Sequence, residues 1–176
     1  RPPRVERIVA WAKACRAARA LEGAKVGQMG YRDMRLYGTM FDGVSLRTRI
    51  GVEVEFFEML EMVQRGERAV KPDVDAVVAR VKREWEWRTP ADPAVLEKAV
   101  RWYLAVRDIA RERGFHAVSL IDVDGMKKLL GFPPAPIFSL LSEDPGVCTV
   151  PENDTLGAVT QLMLRSLTGQ VAAYLE

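Results

Sequence analysis

Residues 146–163, "GVCTVPENDTLGAVTQLM", hold a short apolar run that stops at Pro151, then Glu152, Asn153 and Asp154, then renewed helical periodicity from about Thr155. The run 146–150 reads as a buried strand. Leu156, Val159, Met163 and Leu167 are spaced for one face of a helix. A strand that feeds straight into a helix is a building block of α/β folds. The seam between them carries two carboxylates and an amide, which either cap the helix or belong to an active site.

Working back along the chain, the same alternation recurs. "HAVSLID" (116–122) is a third strand, ending in the acidic turn "DVDGM". "GVEVEFFE" (51–58) sets Val52, Val54 and Phe56 against Glu53 and Glu55, a strand pattern, and "AKVGQMG" (24–30) is a short buried strand closed by glycine. Between them, residues 31–50 mix loop and helix. Val74, Val77, Val78, Val81 and Trp85 mark one helix. Val95, Ala99, Trp102, Val106 and Ile109 mark another, with Asp92 placed to cap it, Pro93 at its first position and Gly114 at its end. These two helices read as an antiparallel pair between strands. At the front, Val5, Ile8, Ala12 and Cys15 recur at helical spacing before Gly23. The fold class is therefore α/β, a Rossmann-like three-layer sandwich with a mainly parallel sheet. Residues 1–22 form a leading helix or linker and 23–176 the α/β domain. Such sheets bind ligands beyond the carboxyl ends of their strands. Three polar segments stand there: Tyr31 to Arg35, Asp122 to Asp124, and Glu152 to Asp154.

Composition narrows the function. The 176 residues are 48% hydrophobic, with 26 basic and 24 acidic side chains and a net charge of +2, so no broad field draws nucleic acid or an anionic membrane. Cys15 and Cys148 lie too far apart for a metal or disulfide framework. No apolar stretch reaches the roughly 20 residues needed to span a bilayer. A reduced, cytoplasmic setting is the expectation. The chain opens on "RPPRVERI" without Met and stops within an apparently helical "GQVAAYLE", the look of a piece of a longer protein.

Several motifs have plain readings. "GQMGYRDM" lacks the three-glycine nucleotide spacing and the lysine of a P-loop, so Gly27 and Gly30 are read as permitting a tight turn. "DVDG" is not a calcium loop, since Met126, Lys127 and Lys128 stand where ligands would be needed, and Asp124 is read as a structural turn residue. His116 has no second histidine to join and is read as structural or exposed. Trp11, Trp85, Trp87 and Trp102 are assigned to core or interface packing, and "RVKREWEWR" (80–88) to a solvated helix face. Asp122 is placed where a strand delivers side chains to a cleft. For Glu152 two readings stand: a bystander to an Asn153 or Asp154 cap, or a carboxylate that meets a hard cation or a substrate proton.

"LEGAKVGQMGYRDM" with "GVEVEFFEMLEM", then "RERGFHAVSLID", and most specifically "GVCTVPENDTLGAVTQLMLRSLTGQVA" resemble the L-fucose isomerase and L-arabinose isomerase superfamily. The likeness is nearer the fucose isomerase side and covers the central domain from about residue 20 onward. The resemblance implies a ketol isomerase that shifts a proton between C1 and C2 of an aldose through an enediol, aided by Mn2+ or Mg2+. It makes Glu152 both metal ligand and acid/base, with an aspartate and a histidine supplied by a following domain. It also implies a sugar as substrate, a homo-oligomer (trimer or hexamer), and an isolated fragment that turns over nothing and in which no metal need be bound. Arg32, Met34 and Asp122 are the candidate substrate contacts, and Asn153 and Asp154 the cap beside them. The sequence departs from the family at Pro151, where a cysteine is frequent, at Asp122 and Val123, and in the more charged loop from Tyr31 to Arg35. These departures point to a different sugar or a diverged activity. The alternative is a non-catalytic Rossmann-like binding or oligomerisation domain.

Overall fold

A computed structural model describes residues 4–143 and 147–174. Four strands, β1 (Lys25–Met29), β2 (Glu53–Phe57), β3 (Ala117–Leu120) and β4 (Cys148–Val150), form one sheet in the order β2-β1-β3-β4. Every pair is parallel, with Gly27 opposite both Glu55 and Val118, and Ser119 opposite Val150. The strands fall within the four expected runs; residue 146 of the last run lies outside the described residues.

Helices cover both faces. On one side lie α1 (Val5–Leu21), α2 (Gly43–Ile50) and α7 (Thr155–Thr168). Here Leu21, Val26, Leu46, Val52, Val150, Val159 and Leu162 close a small core. On the other, α3 (Met59–Glu67), α4 (Lys71–Glu84), α5 (Pro93–Arg113) and α6 (Ala135–Glu143) build a larger core around Trp102, Ile109, Phe115, Leu120 and Leu140. The chain is thus an α/β three-layer, Rossmann-like sandwich. No helix among the described residues is long and apolar enough to cross a membrane.

The expected α4 and α5 form and pack on each other. Asp92 caps α5 through the Ala94 N–H at 2.8 Å, and Gly114 ends it at φ +70°. Two helices escape the sequence pattern for physical reasons. α3 is short and has no side-chain cap. α6 carries Pro136 in its first turn, a position that tolerates proline although the surrounding prolines read as loop.

Three expected stripes are displaced. On α7, Leu156, Met163 and Leu167 are about 40% exposed, and the buried face runs through Thr155, Ala158, Val159 and Leu162. On α1, Val5, Ile8 and Cys15 face solvent with Trp11, and only Ala17 and Leu21 are buried. The cause is that α1 packs on α7 with its C-terminal end alone buried, at Ala17 and Leu21, so its first three turns stand in solvent on every side. In β2 the alternation slips at its end: Phe56 is exposed and stacks on Phe41, while Phe57 turns to the larger core against Phe115. Residues 169–174 are not helical either. Gly169 breaks α7 at φ +74°, and Tyr174 folds back onto Asp154.

Gly27 also differs from expectation. It lies inside β1 and makes no turn; a Cβ there would sit 2.3 Å from the Phe115 ring. Gly27→Ala should therefore cost about 1–3 kcal/mol by overpacking, read as a lower urea midpoint at unchanged slope. An unaltered midpoint would show that the ring has room to move. Gly30 does make the turn, at φ +80°.

Candidate functional site at the carboxyl edge of the sheet

In this strand order the loops after β1 and β3 leave toward opposite faces, and the sheet opens between them, the position where doubly wound sheets bind ligands. All three polar segments meet there. Asp33 is fully buried, and its carboxylate spans the opening. It accepts the N–H groups of Met34 at 2.9 Å, Val123 at 2.8 Å and Asp124 at 2.7 Å. The segment after β3 is a single wide helical turn, Asp122–Lys127, closed by the Met126 N–H on the Ile121 carbonyl. Asp122 is buried at its start. One carboxylate oxygen accepts the Glu152 N–H at 2.7 Å, and the other pairs with Lys127 Nζ at 3.0 Å.

After β4, Asn153 binds the neighbouring strand exits. Its N–H donates to the Leu120 carbonyl at 3.2 Å. Its side-chain amide donates to the Met29 carbonyl at 2.9 Å and to that of Tyr31. Asp154 is the α7 cap, accepting the Gly157 N–H at 2.9 Å and the Tyr174 hydroxyl at 3.2 Å. The choice between Asn153 and Asp154 as cap is thereby resolved: Asp154 caps, and Asn153 ties the loop down.

Backbone geometry singles out this edge. Among the described residues, the non-glycine positions with positive φ are Met34 (46°), Arg35 (59°), Glu152 (59°) and Asn153 (53°). They form two tight turns, closed by the Leu36 N–H on the Asp33 carbonyl and the Asp154 N–H on the Pro151 carbonyl. Both central residues of each turn are left-handed, the type I′ arrangement that favours Asn and Gly. Met-Arg and Glu-Asn fill those places here. Such strain persists only where surrounding contacts over-determine it, and it gathers at functional sites.

The remaining candidates are close by. Arg32 lays its guanidinium 4.7 Å from the centre of the Tyr37 ring and reaches Met40 Sδ at 3.3 Å. It borders a pocket of about 340 Å³ with Gln28, Phe41, Phe56 and Asn153. Met34 occupies the first strained turn. Asp122 has both oxygens engaged inside the chain, so a substrate would reach it only by displacing one of those partners. Asp124 faces Lys128, whose ammonium holds its carboxyl below the usual range, in keeping with a turn residue. His116 sits at the opposite end of the sheet, exposed, its Nδ1 accepting the Lys25 N–H at 3.2 Å. Sequence reading missed Asp33, Lys127 and Gln28. Gln28 is buried in β1 and bonded through Oε1 to the Thr155 hydroxyl at 2.6 Å. A buried polar residue in so short a strand was the available signal for Gln28.

No group of three or more His, Cys, Asp or Glu among the described residues could hold a metal ion. Asp33 and Asp122, the buried carboxylates of this edge, are committed to backbone N–H groups. The described residues therefore do not by themselves fit a Mn2+ or Mg2+ shell, which takes about six oxygen donors.

Together these features define an α/β parallel-sheet protein with a strained carboxylate, Glu152, at the exit of β4. No family model matches the chain, and no curated protein matches it.

Proposed function

We propose that the chain is the sheet domain of an aldose–ketose isomerase of the L-fucose isomerase type, with Glu152 its reactive carboxylate. The observation that supports this reading most is the gathering of all four left-handed non-glycine residues of the described chain at the sheet's carboxyl edge, Glu152 among them. A glutamate is held there against its own backbone preference, which selection for stability would not favour. A carboxylate so placed can take a proton from the carbon beside a sugar carbonyl and return it to the neighbouring carbon while the hydroxyl proton passes from one oxygen to the other, the exchange that interconverts aldose and ketose. The pocket bordered by Arg32, Phe56 and Asn153 offers polar groups beside an aromatic wall, as a sugar requires. Any divalent cation of such an enzyme would take its remaining donors from a further domain or a second subunit of a homo-oligomer.

A second reading, a non-catalytic binding or assembly domain, draws support from α1, whose Val5, Ile8 and Trp11 are each at least 60% exposed. The two readings part on one experiment. The full-length protein is assayed on a panel of aldoses with Mn2+ or Mg2+, following ketose formation. Turnover that falls at least about 10³-fold in Glu152→Gln supports the isomerase. A wild-type protein that converts no aldose leaves the assembly reading, and undiminished turnover in the variant removes Glu152 from the chemistry.

A further inference from the structure

We infer that Asp122, braced by Lys127, is a positioning residue that sets the hand of the turn carrying Glu152; this rests on the reading that Glu152 acts. The turn from Pro151 to Asp154 is fixed at two points. Asn153 holds its second central residue through the Leu120, Met29 and Tyr31 carbonyls. Asp122 holds the N–H of the first, Glu152, at 2.7 Å. That N–H belongs to the peptide plane entering the turn, and the orientation of this plane decides whether Glu152 takes a left- or right-handed φ. In the left-handed state, at φ 59°, the side chain leaves the strand on the side opposite to the one an ordinary turn would give. The carboxylate of Asp122 is therefore what specifies where Glu152 points.

Two further features fit a positioning role better than a substrate contact. Asp122 is only 3% exposed, and its second oxygen is paired with Lys127 at 3.0 Å. Lys127 places a counter-charge beside the buried carboxylate. Lys127 also follows Asp122 around the same wide helical turn, so both partners arrive from one rigid segment. The arrangement links the exit of β3 to the exit of β4 without using a glycine at the strained position.

The test uses uniformly 15N-labelled full-length protein with Asp122→Ala and Asp122→Asn. An amide N–H bonded to a carboxylate resonates downfield, so the Glu152 amide proton should move upfield in Asp122→Ala. In Asp122→Asn, which retains an acceptor oxygen, it should move less. Turnover should fall about 10²-fold in Asp122→Ala, the scale of an ångström-level misplacement, and stay within about tenfold of wild type in Asp122→Asn. A Glu152 amide that does not move in a folded Asp122→Ala protein overturns the proposal, as does a moved amide with full turnover. If Asp122→Ala fails to fold, an unmoved Glu152 amide in Asp122→Asn together with a loss of turnover as deep as that of Glu152→Gln overturns it. A wild-type protein that converts no sugar defeats the isomerase reading and with it any catalytic role for Asp122, while the amide shift still reports whether Asp122 holds Glu152.

Discussion

Glu152→Gly should make the protein more stable and, on the proposed function, inactive. A left-handed φ costs an L side chain about 1–2 kcal/mol, and glycine takes it freely. Part of the gain is offset by glycine's larger freedom in the unfolded chain, about 0.5–1 kcal/mol. A net rise near 0.5–1 kcal/mol is expected, visible as a higher urea midpoint. Turnover should meanwhile drop to the level of Glu152→Gln, because the carboxylate is gone. The opposed signs are the informative part. A residue kept only for packing would lose stability on truncation, whereas one kept for chemistry releases strain. A lowered midpoint in Glu152→Gly would show that the glutamate side chain stabilises the turn, and it would remove the main support for assigning it a reaction.

The second large effect is expected at Asp33. Its carboxylate is fully buried and satisfies three backbone N–H groups drawn from two loops. Asp33→Ala removes the acceptor of the Val123 and Asp124 N–H groups and one acceptor of the Met34 N–H, which also reaches the Asp124 carboxylate, and so loosens the loop after β1 from the turn after β3. Each orphaned buried donor costs about 1–3 kcal/mol, moderated where water enters. A total near 3–5 kcal/mol is a large share of the stability of a domain this size. Asp33→Asn retains one acceptor oxygen and should lose roughly half as much. Because the alanine variant leaves a small space ringed by N–H groups, added acetate should raise its melting temperature more than it raises that of the wild type. Equal melting temperatures for Asp33→Ala and the wild type would show that the three N–H groups find water as readily as they find Asp33.

How far these features could be read from the sequence depends on the scale of the signal. The strand at 53–57 was legible from its alternation of Val and Phe with glutamate, and those at 25–29, 117–120 and 148–150 as short, largely apolar runs next to turn residues. The α4 stripe and, apart from the exposed Val95, the α5 stripe were legible because both helices pack into the larger core. The α1 stripe misled for a tertiary reason: periodicity identifies the apolar side of a helix, but only the C-terminal end of α1, at Ala17 and Leu21, is buried. Leu156 and Met163 misled by a rotation of about one residue, too small for spacing to resolve. At the edge, the position of Glu152 between strand and helix was visible, as was the neighbourhood of Asp122. The left-handed turns were not, since Glu152, Met34 and Arg35 are poor fits for that geometry and only Asn153 has a preference for it. Asp33 was hidden for a related reason. Its partners, Val123 and Asp124, are 90 and 91 residues away and contribute only main-chain N–H groups, so no side-chain pattern pairs them.

The Asp33 contacts also bear on what kind of molecule this edge can select. Folds of this type grip phosphates with main-chain N–H groups at strand exits. Here the N–H groups of Val123 and Asp124 already hold one internal anion, and that of Glu152 holds another. Those N–H groups are therefore already occupied by the protein's own carboxylates. A phosphorylated sugar would have to evict a buried carboxylate to enter, whereas an uncharged polyol would not. On the proposed function, discrimination between a free sugar and its phosphate ester is built into the backbone, before any side chain touches the ligand.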